Sequence, residues 1–179
     1  ADKQIPEFTC HAKGVCHLFP QARTIIEVGG QDSKAIKLTE EGTVGDFVMN
    51  NKCAAGTGRF LQCVSETLEV SLSEMNELAL RAGDAMPVSS LCAIFAQQEI
   101  ISALSRGTPV EVVLAGMYGG FARKILTMAN SLRIEREVVL TGGTCKHAAL
   151  QAAFRRELGF DVLIPEEPLL TGALGAALL

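Results

Sequence analysis

The chain's first regular pattern of apolar positions is Thr24-Ile25-Ile26-Glu27-Val28, followed by Ala35-Ile36-Lys37-Leu38 and by residues 44–48, with Gly29-Gly30 and Glu41-Gly42 in between. Short runs rich in β-branched residues and cut by glycine turns predict three strands joined as an antiparallel meander. The spacing then changes to a helical period. It predicts one helix over about 54–70 and another over 72–81, the second opened by the capping box Ser71-Leu72-Ser73-Glu74 and closed by Gly83. A third helix starts at Cys92 and runs towards Ser105, and Gly107-Thr108-Pro109 opens a long fourth to about 132. Val138-Val139-Leu140-Thr141 reads as a buried strand leaving through Gly142-Gly143, followed by a helix over 148–158, a last strand over 161–164 and a last helix over 171–179.

Three strands, then helices, then alternating strand and helix is the order of an α/β lobe of the ribonuclease-H-like kind, the half-unit of actin-like ATPases, which bind nucleotide between two lobes. Residues 23–179 supply one such lobe. Residues 1–22 read as an irregular lead-in from a missing N-terminal lobe, because the chain opens without methionine and Ile5-Pro6-Glu7-Phe8-Thr9 resembles an interior strand.

Composition narrows the setting. At 179 residues, 48% of them hydrophobic, the chain can bury a substantial core. A net charge of -4 gives no electrostatic ground for a nucleic-acid partner, and no apolar run is long enough for a membrane span. Six scattered cysteines without a signal peptide point to a soluble protein of a reducing cytoplasm.

Two glycine pairs could hold a nucleotide. In Glu27-Val28-Gly29-Gly30-Gln31-Asp32-Ser33-Lys34 the glycines let backbone amides approach a phosphate, and Gln31 or Asp32 could orient water or magnesium. Thr141-Gly142-Gly143-Thr144 offers bare backbone to a base or ribose. Each pair alone equally serves plain turn geometry. Together, at the two expected strand ends of one lobe, they reinforce each other.

The cysteines divide into groups. Cys10-His11 and Cys16-His17 lack the spacing of a zinc knuckle, and Cys63 and Cys145 lie in helical stretches as small hydrophobes. Cys53 precedes the small-residue turn Ala54-Ala55-Gly56-Thr57-Gly58, and Cys92 opens its own helix; unpaired N–H groups and the helix dipole favour a thiolate at such starts. Burial, a catalytic thiol and a metal ligand are all open for this pair. None of His11, His17 and His147 is close in sequence to either cysteine, and two thiolates are half the set of an iron–sulfur cluster, the other half of which a two-fold dimer would supply.

The runs from Val28 to Lys34, from Asp46 through Asn50-Asn51-Lys52-Cys53 to Leu61, from Cys92 to Ser102 and Thr141-Gly142-Gly143 together resemble the activators of 2-hydroxyacyl-CoA dehydratases and the ATP-binding subunits of benzoyl-CoA reductases. The resemblance covers nearly the whole chain. It implies an actin-like ATPase dimer, homomeric or with a related subunit, that holds one 4Fe-4S cluster between its protomers and uses ATP/ADP with Mg2+. Cys53 and Cys92 match the family's cluster-ligand positions; Gly29, Gly30, Gln31, Asp32, Gly142 and Gly143 match its nucleotide site, with Gln31 and Asp32 in the catalytic role. The implied function is one-electron donation to an acyl-CoA dehydratase or aromatic-CoA reductase component, with ferredoxin or flavodoxin as reductant. Departures are Glu27 and Asn51 where the family usually has Asp, Gln97 where it has Glu, and Cys145-Lys146-His147 beside the adenosine loop. The family's first phosphate-binding turn belongs to the other lobe, so these residues alone are not expected to hydrolyse ATP. Two other readings use the same lobe: a small-molecule kinase without a cluster, and a plain dimerisation and cluster-binding module.

Overall fold

In a computed structural model, residues 4–88 and 92–179 are described; Ser89, Ser90 and Leu91, which lead into Cys92, lie outside them. The chain begins with α1 (Glu7–Leu18), followed by β1 (Thr24–Val28), β2 (Ser33–Leu38) and β3 (Val44–Asn50). Four helices come next, α2 (Gly58–Leu68), α3 (Leu72–Arg81), α4 (Ala93–Ser105) and α5 (Val110–Ala129), then β4 (Val138–Thr141), α6 (Ala148–Leu158) and α7 (Thr171–Ala177). The sheet order is β3-β2-β1-β4, antiparallel within the meander and parallel between β1 and β4.

Because β1 is central and covered on both faces, it reads as an uninterrupted buried run. Ile26, Val28 and Leu140 face the main core of Leu114, Met117, Tyr118, Phe121, Ile125, Leu150 and Phe154. Ile25, Ile36 and Val139 face Ala12 and Val15 of α1. The capping box is present: Ser71 N–H donates to Glu74 Oε2 at 2.9 Å, and Glu74 N–H donates to Ser71 Oγ at 3.2 Å. Ser71→Ala is expected to cost about 1 kcal/mol in urea unfolding.

Two sequence expectations are overturned. Residues 7–18 are not an irregular lead-in, and 7–9 are not a strand: Pro6 caps a helix with Glu7 in its first turn. Its buried residues are Cys10, His11, Ala12, Gly14 and Val15, mostly small; Cys10, His11 and Gly14 meet α7 and Ala12 and Val15 meet the sheet, so it lacks the large apolar stripe that periodicity detects. The expected strand over 161–164 shrinks to one parallel bridge, Val139 to Leu163. Leu163 N–H donates to Val138 O at 2.8 Å and Leu163 O accepts from Leu140 N–H at 2.9 Å. Pro165 has no N–H with which to extend the ladder.

Candidate functional site

The parallel pairing of β1 with β4 sets Glu27 beside Thr141, so the two glycine pairs leave the sheet side by side. Gly142 has φ +91°, and a Cβ there would meet the Val28 carbonyl and lie 2.7 Å from Glu27 Oε1. Only glycine fits that crossing. A third glycine joins them: Gly58 N–H, at the start of α2, donates to Gly29 O at 2.9 Å, and Arg59 N–H donates to Gly30 O at 2.7 Å. Thr144 Oγ1 donates to Gly29 O at 3.1 Å. The hairpin turn, the β4 exit and the start of α2 are thus one hydrogen-bonded unit.

Beside this unit opens a cleft of about 620 Å³, with Gly29, Gly30, Gly142 and Gly143 on one side and Glu7, His11, Leu169 and Gly172 among the others. Gln31 is exposed at the hairpin tip, and Asp32 is half-buried and turns back to Lys34. Of the unusual stretch after Gly143, Cys145 points into the core, Lys146 pairs with Glu167 at 2.6 Å, and His147 Nδ1 lies 2.9 Å from Tyr118 Oη. Burial pushes the Cys145 thiol up and the His147 imidazole down, leaving the imidazole neutral.

Three residues that the sequence reading did not assign shape the cleft. Lys34 is buried, and its ammonium meets Asp32 Oδ2 at 2.8 Å, Glu27 Oε2 at 3.1 Å and Glu7 Oε1 at 3.3 Å. His11 Nε2 lies 3.4 Å from the same Glu7 oxygen. Counting back from the hairpin turn places Lys34 opposite Glu27, which is the signal that could have found it. Burial raises Glu27 to about 7 despite its cation, whereas Lys34 is held above its usual range because hydrogen bonds and charge from Asp32 and Glu27 outweigh its own burial. The shifts differ because one ammonium serves three carboxylates. An unfolded Glu27 titrates near 4.5, so the stability held by its protonated form is complete below that pH and lost as pH rises through 7. In Glu27→Gln the corresponding fall, about 2–3 kcal/mol between pH 4.5 and 8, should vanish from urea titrations.

The cysteine expectation needs one correction. Cys53 is not at a helix start, since α2 begins at Gly58 with Thr57 as N-cap. Gly56 at φ +87° and extended Thr57 break the helical pattern that the two alanines suggested. Cys53 instead sits exposed in a loop fixed by Asn50, whose Nδ2 donates to Cys53 O at 2.8 Å and to Ala55 O at 3.0 Å, and whose Oδ1 accepts from Cys53 N–H at 3.2 Å. Cys92 is the N-cap of α4 and half-buried. It lines a narrow recess together with Ala55 and Gly56, so the segment that follows Cys53 and the start of α4 lie side by side. Among the described residues no three His, Cys, Asp or Glu side chains converge as a metal site. The Cys10-His11 and Cys16-His17 pairs lie along α1, where Cys16 Sγ donates to Gly42 O at 3.4 Å.

A meander extended by a parallel strand, with glycine turns meeting at the β1 and β4 ends, defines a lobe of the ribonuclease-H-like, actin-like ATPase class. The chain belongs to the BadF/BadG/BcrA/BcrD ATPase family, whose model matches residues 1–179. It is 48% identical over 178 residues to the activator of lactoyl-CoA dehydratase of Anaerotignum propionicum, covering 99% of this chain and 69% of that one. The solved activator of the 2-hydroxyisocaproyl-CoA dehydratase from Clostridium difficile, with bound ADPNP, superposes with a TM-score of 0.94 at 42% identity, covering 99% of this chain and 66% of that one. Component A of the (R)-2-hydroxyglutaryl-CoA dehydratase of Acidaminococcus fermentans gives 0.95 at 41%, covering 99% and 68%. The chain therefore spans about two thirds of the length of its relatives.

Proposed function

We propose that this chain is the nucleotide- and cluster-bearing lobe of an ATP-driven one-electron donor. The observation that carries the reading is the direct bonding of the hairpin to α2: Gly29 O and Gly30 O accept from Gly58 N–H and Arg59 N–H at 2.9 and 2.7 Å. A nucleotide phosphate that moves the hairpin therefore moves the start of α2 and the Cys53 loop just before it. In this reading Gly29, Gly30, Gly142 and Gly143 present backbone to the nucleotide, and Gln31 and Asp32 orient water and Mg2+ at its terminal phosphate. The partner lobe closes the cleft from the other side. Differential binding of ATP and ADP to open and closed arrangements would then shift the face that bears Cys53 and Cys92.

Those two cysteines would hold half of a 4Fe-4S cluster, with the same pair from a second copy or a related subunit completing it. When bound, the cluster supplies a one-electron carrier charged by ferredoxin or flavodoxin. Coupling to ATP is chemically necessary, because an electron of low enough potential to enter a CoA thioester or an aromatic ring is not delivered without added free energy. The named relatives are dehydratase activators, which favours a CoA-thioester dehydratase as the acceptor over an aromatic-ring reductase. Among the described residues no helix is long and apolar enough to cross a membrane.

The test is anaerobic isolation of the intact protein. About four irons and four sulfides per pair of chains, with MgATP-dependent electron delivery to a dehydratase component, are expected. A colourless protein whose ATP consumption depends on a small hydroxylated substrate would overturn the proposal in favour of a kinase.

A further inference from the structure

The oxygens that Lys34 does not hold are as informative as those it does. Its ammonium takes Oε2 of Glu27 and Oδ2 of Asp32. The other oxygen of each carboxylate turns towards the glycines: Asp32 Oδ1 and Glu27 Oε1 lie 2.7 and 3.2 Å from where a Cβ on Gly29 would stand, and Glu27 Oε1 lies 2.7 Å from that position on Gly142. Both oxygens thus lie against Gly29, and Glu27, which also lines the cleft, places Oε1 against Gly142 as well. The third acceptor, Glu7 Oε1, comes from α1, which reaches the hairpin across the cleft wall. An ammonium has three donors, and here each has one acceptor. With its stem buried at 4% exposure, the group has one orientation available.

We infer that Lys34 is a positioning residue of the nucleotide site: it fixes one oxygen of Asp32 and of Glu27 so that the other lies against the Gly29 turn, where Glu27 lines the cleft, and through Glu7 it ties that arrangement to α1. The inference rests on the cleft being the nucleotide site. Lys34 itself lies behind the carboxylates, so its removal should disturb the reacting geometry more than the affinity for nucleotide. Three carboxylates against one ammonium leave the site negative, which suits a nucleotide carrying a divalent cation better than a bare polyphosphate.

The experiment compares MgATP hydrolysis by the intact protein with Lys34→Met, Glu7→Gln and the double variant. In Lys34→Met, kcat should fall about 10- to 100-fold while KM stays within about threefold, because misplacement of the reacting groups is felt in the turnover step. Glu7→Gln should lower kcat roughly 3- to 10-fold alone and add nothing in the Lys34→Met background, since both changes break one contact. A Lys34→Met enzyme within about twofold of wild type, a loss confined to KM, or additive losses in the double variant would overturn the inference while leaving the nucleotide reading intact. A wild-type protein that neither binds nor hydrolyses MgATP would overturn both. Should Lys34→Met not fold, Glu7→Gln decides, because the Glu7 side chain is 61% exposed and its exchange does not threaten the core. An unchanged kcat there sinks the tie to α1.

Discussion

Replacing Gly175, buried where α7 meets α1, by valine is expected to destabilise the protein by about 4 kcal/mol or more, among the largest effects of a single substitution. The reason is backbone against backbone. A Cβ on Gly175 would run into the Cys10 carbonyl oxygen and lie 2.6 Å from its carbon and 2.7 Å from Gly14 N, while one on Gly14 would meet the Thr171 carbonyl. No rotamer relieves such a contact, so α1 and α7 must separate along their whole interface. Separation opens the face of α1 that carries Cys10, His11 and Gly14, and loosens the helix whose other face, Ala12 and Val15, covers Ile25 and Ile36 of the sheet. It also withdraws Glu7 and His11 from the cleft wall. The midpoint of urea unfolding should fall steeply, with the nucleotide-binding signal lost even where folded protein remains. Gly83→Ala is the control: nothing lies within 4 Å of a Cβ there, so its midpoint should barely move.

That helix pair also marks where sequence reading fails. Helices α3 and α6 are bounded in the sequence because their ends carry local chemistry, a capping box at Ser71 and a left-handed Gly159. The sheet meander is legible for the same reason, since its turns are written as glycines. Helix α1 offers neither: it is buried through Cys10, Ala12 and Gly14, whose value lies in what they omit, and only the approach of α7 reveals it. The two glycine pairs were legible as turns, but their convergence depends on β4 pairing in parallel with β1, a fact of topology rather than of motif. Lys34 stood inside the motif that contains Asp32, and its pairing with Glu27 can be counted across the hairpin, but its third contact, Glu7, lies 27 positions away and out of reach of local pattern.

The proposed coupling of the cleft to Cys53 would run through the same convergence. Gly58 is squeezed between Thr144 and Gly30, with a hypothetical Cβ 2.8 Å from Thr144 Oγ1 and 3.2 Å from Gly30 Cα. The start of α2 is therefore in contact with both the hairpin and the β4 exit. A rigid loop, tied by Asn50 and by Thr57 Oγ1 donating to Ala54 O at 2.8 Å, then carries Cys53. Few links lie between the glycine turns and Cys53: the two backbone bonds from Gly58 and Arg59, then the short side chains of Thr57 and Asn50 bonded to loop carbonyls.

Serine at position 53 or 92 is expected to remove the cluster and, with it, all electron delivery, while leaving the fold and nucleotide hydrolysis in place. A serine oxygen is harder and far less acidic than a thiol, so it cannot replace a thiolate on iron at neutral pH. In the proposed symmetric pair, which would share one cluster, each single substitution would remove two of four ligands, not one. Cys53 is exposed in its loop and Cys92 half-buried, so neither exchange opens a core cavity and thermal unfolding should shift little. The measurement is iron and acid-labile sulfide under anaerobic conditions, set beside MgATP hydrolysis and reduction of a dehydratase component. Both variants should be nearly iron-free and unable to reduce the partner, yet still turn over ATP, so that hydrolysis runs uncoupled from electron transfer. Cys16→Ser, whose thiol is occupied with Gly42 O on α1's side of the sheet, should keep its full iron content. A Cys53→Ser or Cys92→Ser protein that retains about four irons per pair would show that the cluster is held elsewhere, and would move the electron-transfer face away from the start of α4.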